Sequence, residues 1–340
     1  PVLVRTPRDG GEEEVLLDCN KEAGASYFGF GGAAHDRSHR YLAWSADRNG
    51  SEYYTIYVRD LGTGAELEDR LENTAGGAVW SANGNSIYYT ELDDNHRPYR
   101  VRRHTVGTPQ SEDETVYTEP DAGFFVELGE TLSRRFITIS CGDHQTSEVH
   151  LIDANSGAAP ILVSARLAGR EYDVDERNGE LFILTNADGA EDFKIVSTPV
   201  GSPEAANWRD VVPHVGGRLI VSSFTISDHL VRLEREDGLP RIVIRDLRSG
   251  AEKQISFDEQ AYALGVSHGY EFDTRQIRFI YSSPTTPQQT FDYDVETHER
   301  KLRKTQEVPS GHDPSDYVTR RVMAPAPDGE LVPVTVLMRK

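Results

Sequence analysis

Cysteine is almost missing from this chain. Two residues, Cys19 and Cys141, cannot build the disulfide framework that holds small secreted domains together; they fit a reducing, cytoplasmic setting and leave open a single bridge. Long apolar runs are missing as well. No stretch approaches the ~18 residues a membrane-spanning helix needs, and with 27% charged residues and a mean hydropathy of −0.54 the expectation is a soluble globular protein. Positive charge is in deficit, 36 Lys and Arg against 56 Asp and Glu, for a net charge of −20. Such a surface repels nucleic acid and anionic membranes and suits a cationic substrate. Glycine-rich phosphate loops and helix-start signals are scarce, so no cofactor is expected.

What the chain does contain is a repeated strand and turn. In Tyr54 to Gly64, YTIYVRDLGTG, side chains alternate: Tyr54, Ile56 and Val58 share one face, Thr55, Tyr57 and Arg59 the other. Asp60 can bond backbone N–H groups two residues on, and Gly64 supplies the positive φ of a tight return. Six further segments follow the plan. Taking Pro7, Asp60, His104, Asp153, Ser197, Asp246 and Asp294 as turn-opening markers, successive spacings are 53, 44, 49, 44, 49 and 48 residues. An all-strand period of ~40–50 residues is the signature of propeller blades, each burying its faces only against its neighbours. The expected fold is all-β: a seven-bladed propeller of four-stranded antiparallel blades over residues 1–308.

The ends break the plan. Residues 1–18 read as two strands around an Arg-Asp-Gly-Gly turn, so the first blade is expected to be incomplete. Four strands per repeat are read from Ser26 onward, with Trp44, Trp80, Tyr88 and Tyr89 as packing aromatics. After Val308 a Pro- and Gly-containing linker leads to a hairpin around Asp328-Gly329. A lone hairpin is marginal, so residues 309–340 are expected to open a further domain.

Three patterns imitate chemistry. Gly265-Val266-Ser267-His268-Gly269 fits the G-x-S-x-G nucleophile elbow, which requires a strand-to-helix turn; here strand signals follow and no helix. His35 and His39 have the spacing of a helical zinc pair but lie between strands. Residues 186–192, with Asp188, Gly189, Glu191 and Asp192, have calcium-loop residue types without the full spacing. None is taken as a catalytic or metal site.

Longer segments carry a resemblance: TSEVHLID, FILTNADGAEDFKI, REDGLPRIVIRDL, YSSPTTPQQTFDYD and QEVPSGHDPSDYVTRRVMAPAPDGELVPV. In this order they are similar to the oligopeptidase B branch of the prolyl oligopeptidase family of serine peptidases, over essentially the whole chain. The resemblance implies a propeller capping an α/β-hydrolase domain, with cleavage of short peptides after Lys or Arg. It implies that the Ser, Asp and His of the triad lie in the hydrolase domain, so no catalytic residue is assigned in residues 1–340. The partners expected are that hydrolase domain and short basic peptides. The alternative is a self-standing propeller that binds a protein or glycan, with a metal-dependent six-bladed lactonase-type enzyme more distant; an orphan hairpin favours the peptidase.

Charge separates two sets of loops. The loops expected between second and third strands sum to −9, those between first and second strands to −1. Asp47, Glu52, Asp93, Asp94, Asp143, Glu148, Asp188, Glu191, Asp192, Glu236 and Asp237 are thus candidates for steering basic peptides, against the plainer reading that they are solvated turn acids.

Overall fold

The computed structural model describes residues 1–7, 9–24 and 27–340. Arg8, in the first turn, and Ser26, where the second repeat was expected to start, lie outside the described residues. The chain forms two compact units, Pro1–Arg170 and Glu171–Lys340.

The recurring turn is built as its residues dictate. At the end of a third strand, the Asp60 carboxylate accepts the N–H groups of Gly62 and Thr63 (2.9 and 3.0 Å) while the Gly64 N–H donates to the Asp60 carbonyl at 2.8 Å. Asp153, Asp246 and Asp294 repeat this with Asn155 and Ser156, Arg248 and Ser249, and Glu296 and Thr297. Closure falls at Gly157, Gly250 and His298. The closing residue is left-handed each time, with φ of 73°, 60°, 75° and 63°, which is why glycine fills three of the four positions.

In the first unit, Val2–Arg5 pairs antiparallel with Glu14–Asp18. A five-residue helix, Cys19–Ala23, follows, which the strand-rich reading did not anticipate; Asp18 starts it by accepting the Asn20 N–H at 3.0 Å. Gly29–His35, Tyr41–Asp47, Tyr54–Asp60 and the first part of Glu66–Trp80 make one four-stranded array. The rest of Glu66–Trp80 begins the next, with Ser86–Leu92, Pro98–Thr105 and Glu114–Thr118. One strand serves both because it bends between Thr74 and Ala78, where the register shifts. Gly76 (φ 90°) sits at that bend, and a Cβ there would lie 3.1 Å from the Tyr54 ring. A separate sheet holds Phe125–Glu130, Phe136–Gly142, Ser147–Asp153 and Ile161–Leu162.

The second unit has three four-stranded antiparallel sheets, spanning residues 172–212, 218–254 and 263–305, and the hairpin Tyr317–Pro325 with Leu331–Arg339. Among the described residues, six repeats therefore supply four strands and the first supplies two. The marker residues His104 and Ser197 do not open turns: their strands run on to Thr105 and Pro199. Residues 270–272 are not a strand either, since the strand ends at Ser267 and a loop runs to Arg275.

Packing between neighbouring sheets supplies the core. Trp80, Ile87 and Tyr89 of one array meet Ala43, Ile56 and Val58 of the preceding one, and Tyr88 meets Val126, Ile137 and Ile139 of the following one. Trp44, Trp80, Tyr88 and Tyr89 are all at most 5% exposed, as packing aromatics should be. In the second unit Phe182, Ile195 and Val212 meet Ile220 and Leu230. Each such side chain contributes ~1.5–3 kcal/mol by leaving water, and only a neighbouring sheet provides the cover.

The turn carboxylates give a test. Bonding from the Ser249 amide, opposed by burial and reinforced by the Arg248 amide and guanidinium, lowers the Asp246 pKa to about 2. A depressed carboxylate stabilises the fold above its unfolded pKa and loses that contribution as pH falls through the folded value. Asp246→Ala is expected to cost about 1–2 kcal/mol at pH 7, from lost hydrogen bonds, and Asp246→Asn, which keeps an acceptor, less. Thermal unfolding should show the gap to Asp246→Ala holding down to about pH 4 and closing toward pH 2; a gap independent of pH would contradict the assignment.

Candidate functional site

Two rims of loops can be traced within each unit. In the first, the turns between first and second strands touch one another: the Arg37 guanidinium donates to the Arg134 carbonyl, and Gly84 packs on Asp36. In the second, Arg177 pairs with Asp228 and the Ser227 N–H donates to the Phe272 carbonyl at 2.9 Å. The loops between second and third strands form a separate set. Tyr53 donates to the Asp93 carbonyl at 2.8 Å, and its ring lies 4.3 Å from that of His96. Arg97 donates to the Phe124 carbonyl at 2.9 Å.

The acidic candidates lie in or beside this second set, in three different states. Asp47, 2% exposed, accepts the N–H groups of Asn49, Gly50 and Glu52. Asp93 accepts those of Asn95 and Arg97, and Asp143 those of Gln145 and Thr146, so these three carboxylates close their own loops. Others are paired: Glu148 is buried with Arg166, Asp188 meets Lys194 at 3.0 Å, Asp192 accepts the Gly217 N–H at 2.7 Å, and Glu236 pairs with Arg241. Glu52, Asp94, Glu191 and Asp237 are exposed, and among the described residues no hydrogen bond or ion pair holds their carboxylates. Their fields are the ones open to a ligand.

The three imitating motifs each have local partners. Ser267 ends the strand Ala263–Ser267, opposite Arg278, and its hydroxyl accepts the Gly269 N–H at 3.3 Å; no helix follows. His35 and His39 stack at 4.3 Å, and among the described residues no group of three or more ligating side chains converges. Asp188 and Asp192 turn to separate partners. Among the described residues no helix is long and apolar enough to cross a membrane.

Sequence reasoning missed the polar anchors of these loops. Glu259 accepts hydroxyl hydrogen bonds from Tyr281, Ser283 (2.7 Å), Thr285 (2.5 Å) and Thr286 (3.1 Å), moulding the uncharged loop 283–288. His312 bonds the Thr285 carbonyl at 2.6 Å, the Arg321 N–H donates to the Gln260 side chain at 3.0 Å, and Gly238 packs under Arg321 and Pro333. The hydroxyl run Ser282-Ser283-Pro284-Thr285-Thr286 was the available signal, but its carboxylate lies 24 to 27 residues upstream.

The buried His104 was missed too. Its ring nitrogens lie 2.8 Å from Asp69 and 2.7 Å from Asp113, with Tyr89 donating to Asp113 and Gly107 to Asp69. Burial opposes the charge on His104, but the two aspartates outweigh it and raise the pKa to about 9. This group is fully buried and serves structure.

An all-β chain of repeated four-stranded antiparallel sheets, with its strand-linking loops sorted into two sets, is a β-propeller domain. The chain belongs to the prolyl oligopeptidase family of serine peptidases, residues 1–306 matching its N-terminal β-propeller domain. It is 37% identical to dipeptidyl aminopeptidase BI of Pseudoxanthomonas mexicana, covering 96% of this chain and 46% of that protein. It is 32% identical to Protease 2 of Moraxella lacunata, covering 96% and 47%. Among solved structures, oligopeptidase B from Leishmania major superposes with a TM-score of 0.91 at 28% identity, over 100% of this chain and 50% of that one. Oligopeptidase B from Trypanosoma brucei, with covalently bound antipain, gives 0.88 at 32% identity, over 98% and 48%. The chain spans about half the length of these relatives.

His104 yields a prediction. A raised folded pKa stabilises fully below the unfolded value of ~6.5 and is lost as pH rises through about 9. Wild-type Tm should fall between pH 7 and 10. His104→Gln should be less stable by about 3 kcal/mol at pH 7 and flatter across that range; parallel pH profiles would contradict a charged His104.

Proposed function

We propose that this chain is the noncatalytic, access-restricting part of a serine oligopeptidase that cleaves short peptides after Lys or Arg. Its partner is an α/β-hydrolase domain carrying the Ser, Asp and His triad; residues 1–308 are the propeller and residues 309–340 open that domain. Family membership and the half-length match support the reading. The observation that carries it lies in the second unit, where residues 312–333 rest on loops 237–238 and 283–288, between second and third strands. The hairpin also leaves Val322, Met323, Leu331, Val332, Val334 and Leu337 38–58% exposed, an apolar surface that a larger sheet would cover. On this reading the acidic loops border the catalytic cavity, where low-dielectric walls focus their field on cationic peptides.

Two outcomes follow. The 340-residue chain should not hydrolyse an Arg-containing peptide, because Ser267 ends a strand rather than opening a helix and, among the described residues, its hydroxyl bonds only the Gly269 N–H; hydrolysis abolished by Ser267→Ala would overturn this. In the complete enzyme, Glu191→Gln with Asp237→Asn should lower kcat/KM for dibasic peptides several-fold at low salt. The deficit should vanish above ~0.15 M salt, where the Debye length is ~8 Å. An unchanged low-salt kcat/KM would make these acids plain solvated turn residues.

A further inference from the structure

In the first unit a cavity of about 550 Å³ opens beside the inner strand Phe125–Glu130 and the bend of Glu66–Trp80. Its size falls in the ~300–1,000 Å³ range of small-ligand sites. Strand alternation puts Phe125 and Glu127 on one face, opposite Val126, which is 3% exposed in the core. Phe125 keeps 54% of its surface in water although it is a large apolar ring. Glu127 is exposed, with no hydrogen bond or ion pair among the described residues. Asp143 stands nearby, since Phe125 lies opposite Gly142 in the register. The lining among the described residues includes these two acids and no Lys or Arg. Phe125–Glu130 is also the end strand of its sheet, so its far edge has no strand partner among the described residues. An open edge offers backbone groups to an added strand, with alternate side chains free to fill pockets.

We propose that this cavity docks an extended basic peptide. The peptide main chain adds along the open edge of Phe125–Glu130, an aliphatic side chain packs on the exposed Phe125 ring, and an adjacent Lys or Arg lies against Glu127 on the same face. The inference rests on the peptide-handling reading above, but it concerns binding by this chain alone and needs no catalysis. Gly77 offers a clean block. A Cβ there meets nothing within 4 Å, so the backbone accepts a side chain, and Gly77→Leu places an apolar one on the cavity wall that Gly77 lines.

The test is calorimetric titration of the 340-residue chain at low salt with acetyl-Leu-Arg-Gly-amide and acetyl-Leu-Glu-Gly-amide. The basic peptide should bind and the acidic one bind at least about tenfold more weakly, a difference of ~1.4 kcal/mol. Gly77→Leu should weaken the basic peptide about tenfold or more at unchanged Tm, and Glu127→Lys should reverse the preference. No heat from the basic peptide up to about 5 mM, equal affinity for both peptides, or full affinity in a folded Gly77→Leu variant would overturn the proposal. None of these results bears on hydrolysis by the complete enzyme, so the two readings fail separately.

Discussion

The whole arrangement depends on a carboxylate closing a turn. A four-stranded antiparallel sheet must reverse its chain after every strand, and each reversal strands backbone N–H groups that need an acceptor. Asp60, Asp153, Asp246 and Asp294 supply one at the same place in four repeats, with a left-handed residue completing each turn. Asp47, Asp93 and Asp143 do the same one loop earlier. Seven of the turn and loop aspartates are therefore structural. Among the steering candidates that leaves Glu52, Asp94, Glu191 and Asp237 without a partner among the described residues, and Glu191 and Asp237 are the two taken for the steering test.

Buried ions add a second layer. Arg232, 2% exposed, meets Glu234 at 2.5 Å and grips Glu252 with both terminal nitrogens at 3.0 and 2.7 Å. Arg166 links Glu119 and Glu148 and lies 4.1 Å from the centre of the Phe124 ring. Such groups offset their own desolvation only when every partner is present, so they enforce one register more than they add stability. His104 belongs with them, and so does Glu259 beneath loop 283–288. Of these groups it is Glu259 that shapes a loop on which the terminal hairpin segment rests, through Ser283, Thr285 and Thr286.

Legibility in the sequence followed the range of the interaction. Alternation and the Asp-to-Gly turn are local, so strands, turns and the packing role of Trp44, Trp80, Tyr88 and Tyr89 could be read directly. Long-range partners could not. His104 passed for a turn opener because Asp69 is 35 residues away, and Glu148 passed for a surface acid because Arg166 is 18 away. The sharing of Glu66–Trp80 between two arrays rests on a bend at Gly76 that a repeat count does not register. The helix Cys19–Ala23 is too short to show a period. The acids of the candidate site were found by charge alone, and only their hydrogen bonds sort turn closers from free carboxylates.

The central claim is that the loops between second and third strands face the catalytic partner. Hydrogen–deuterium exchange of the complete enzyme against the isolated 340-residue chain tests it directly. The account predicts added protection at residues 186–193, 237–238, 283–288 and 317–339 in the complete enzyme, with residues 175–180 and 227–228 unchanged. Protection at those last two turns instead, with loops 237–238 and 283–288 unaffected, would contradict it.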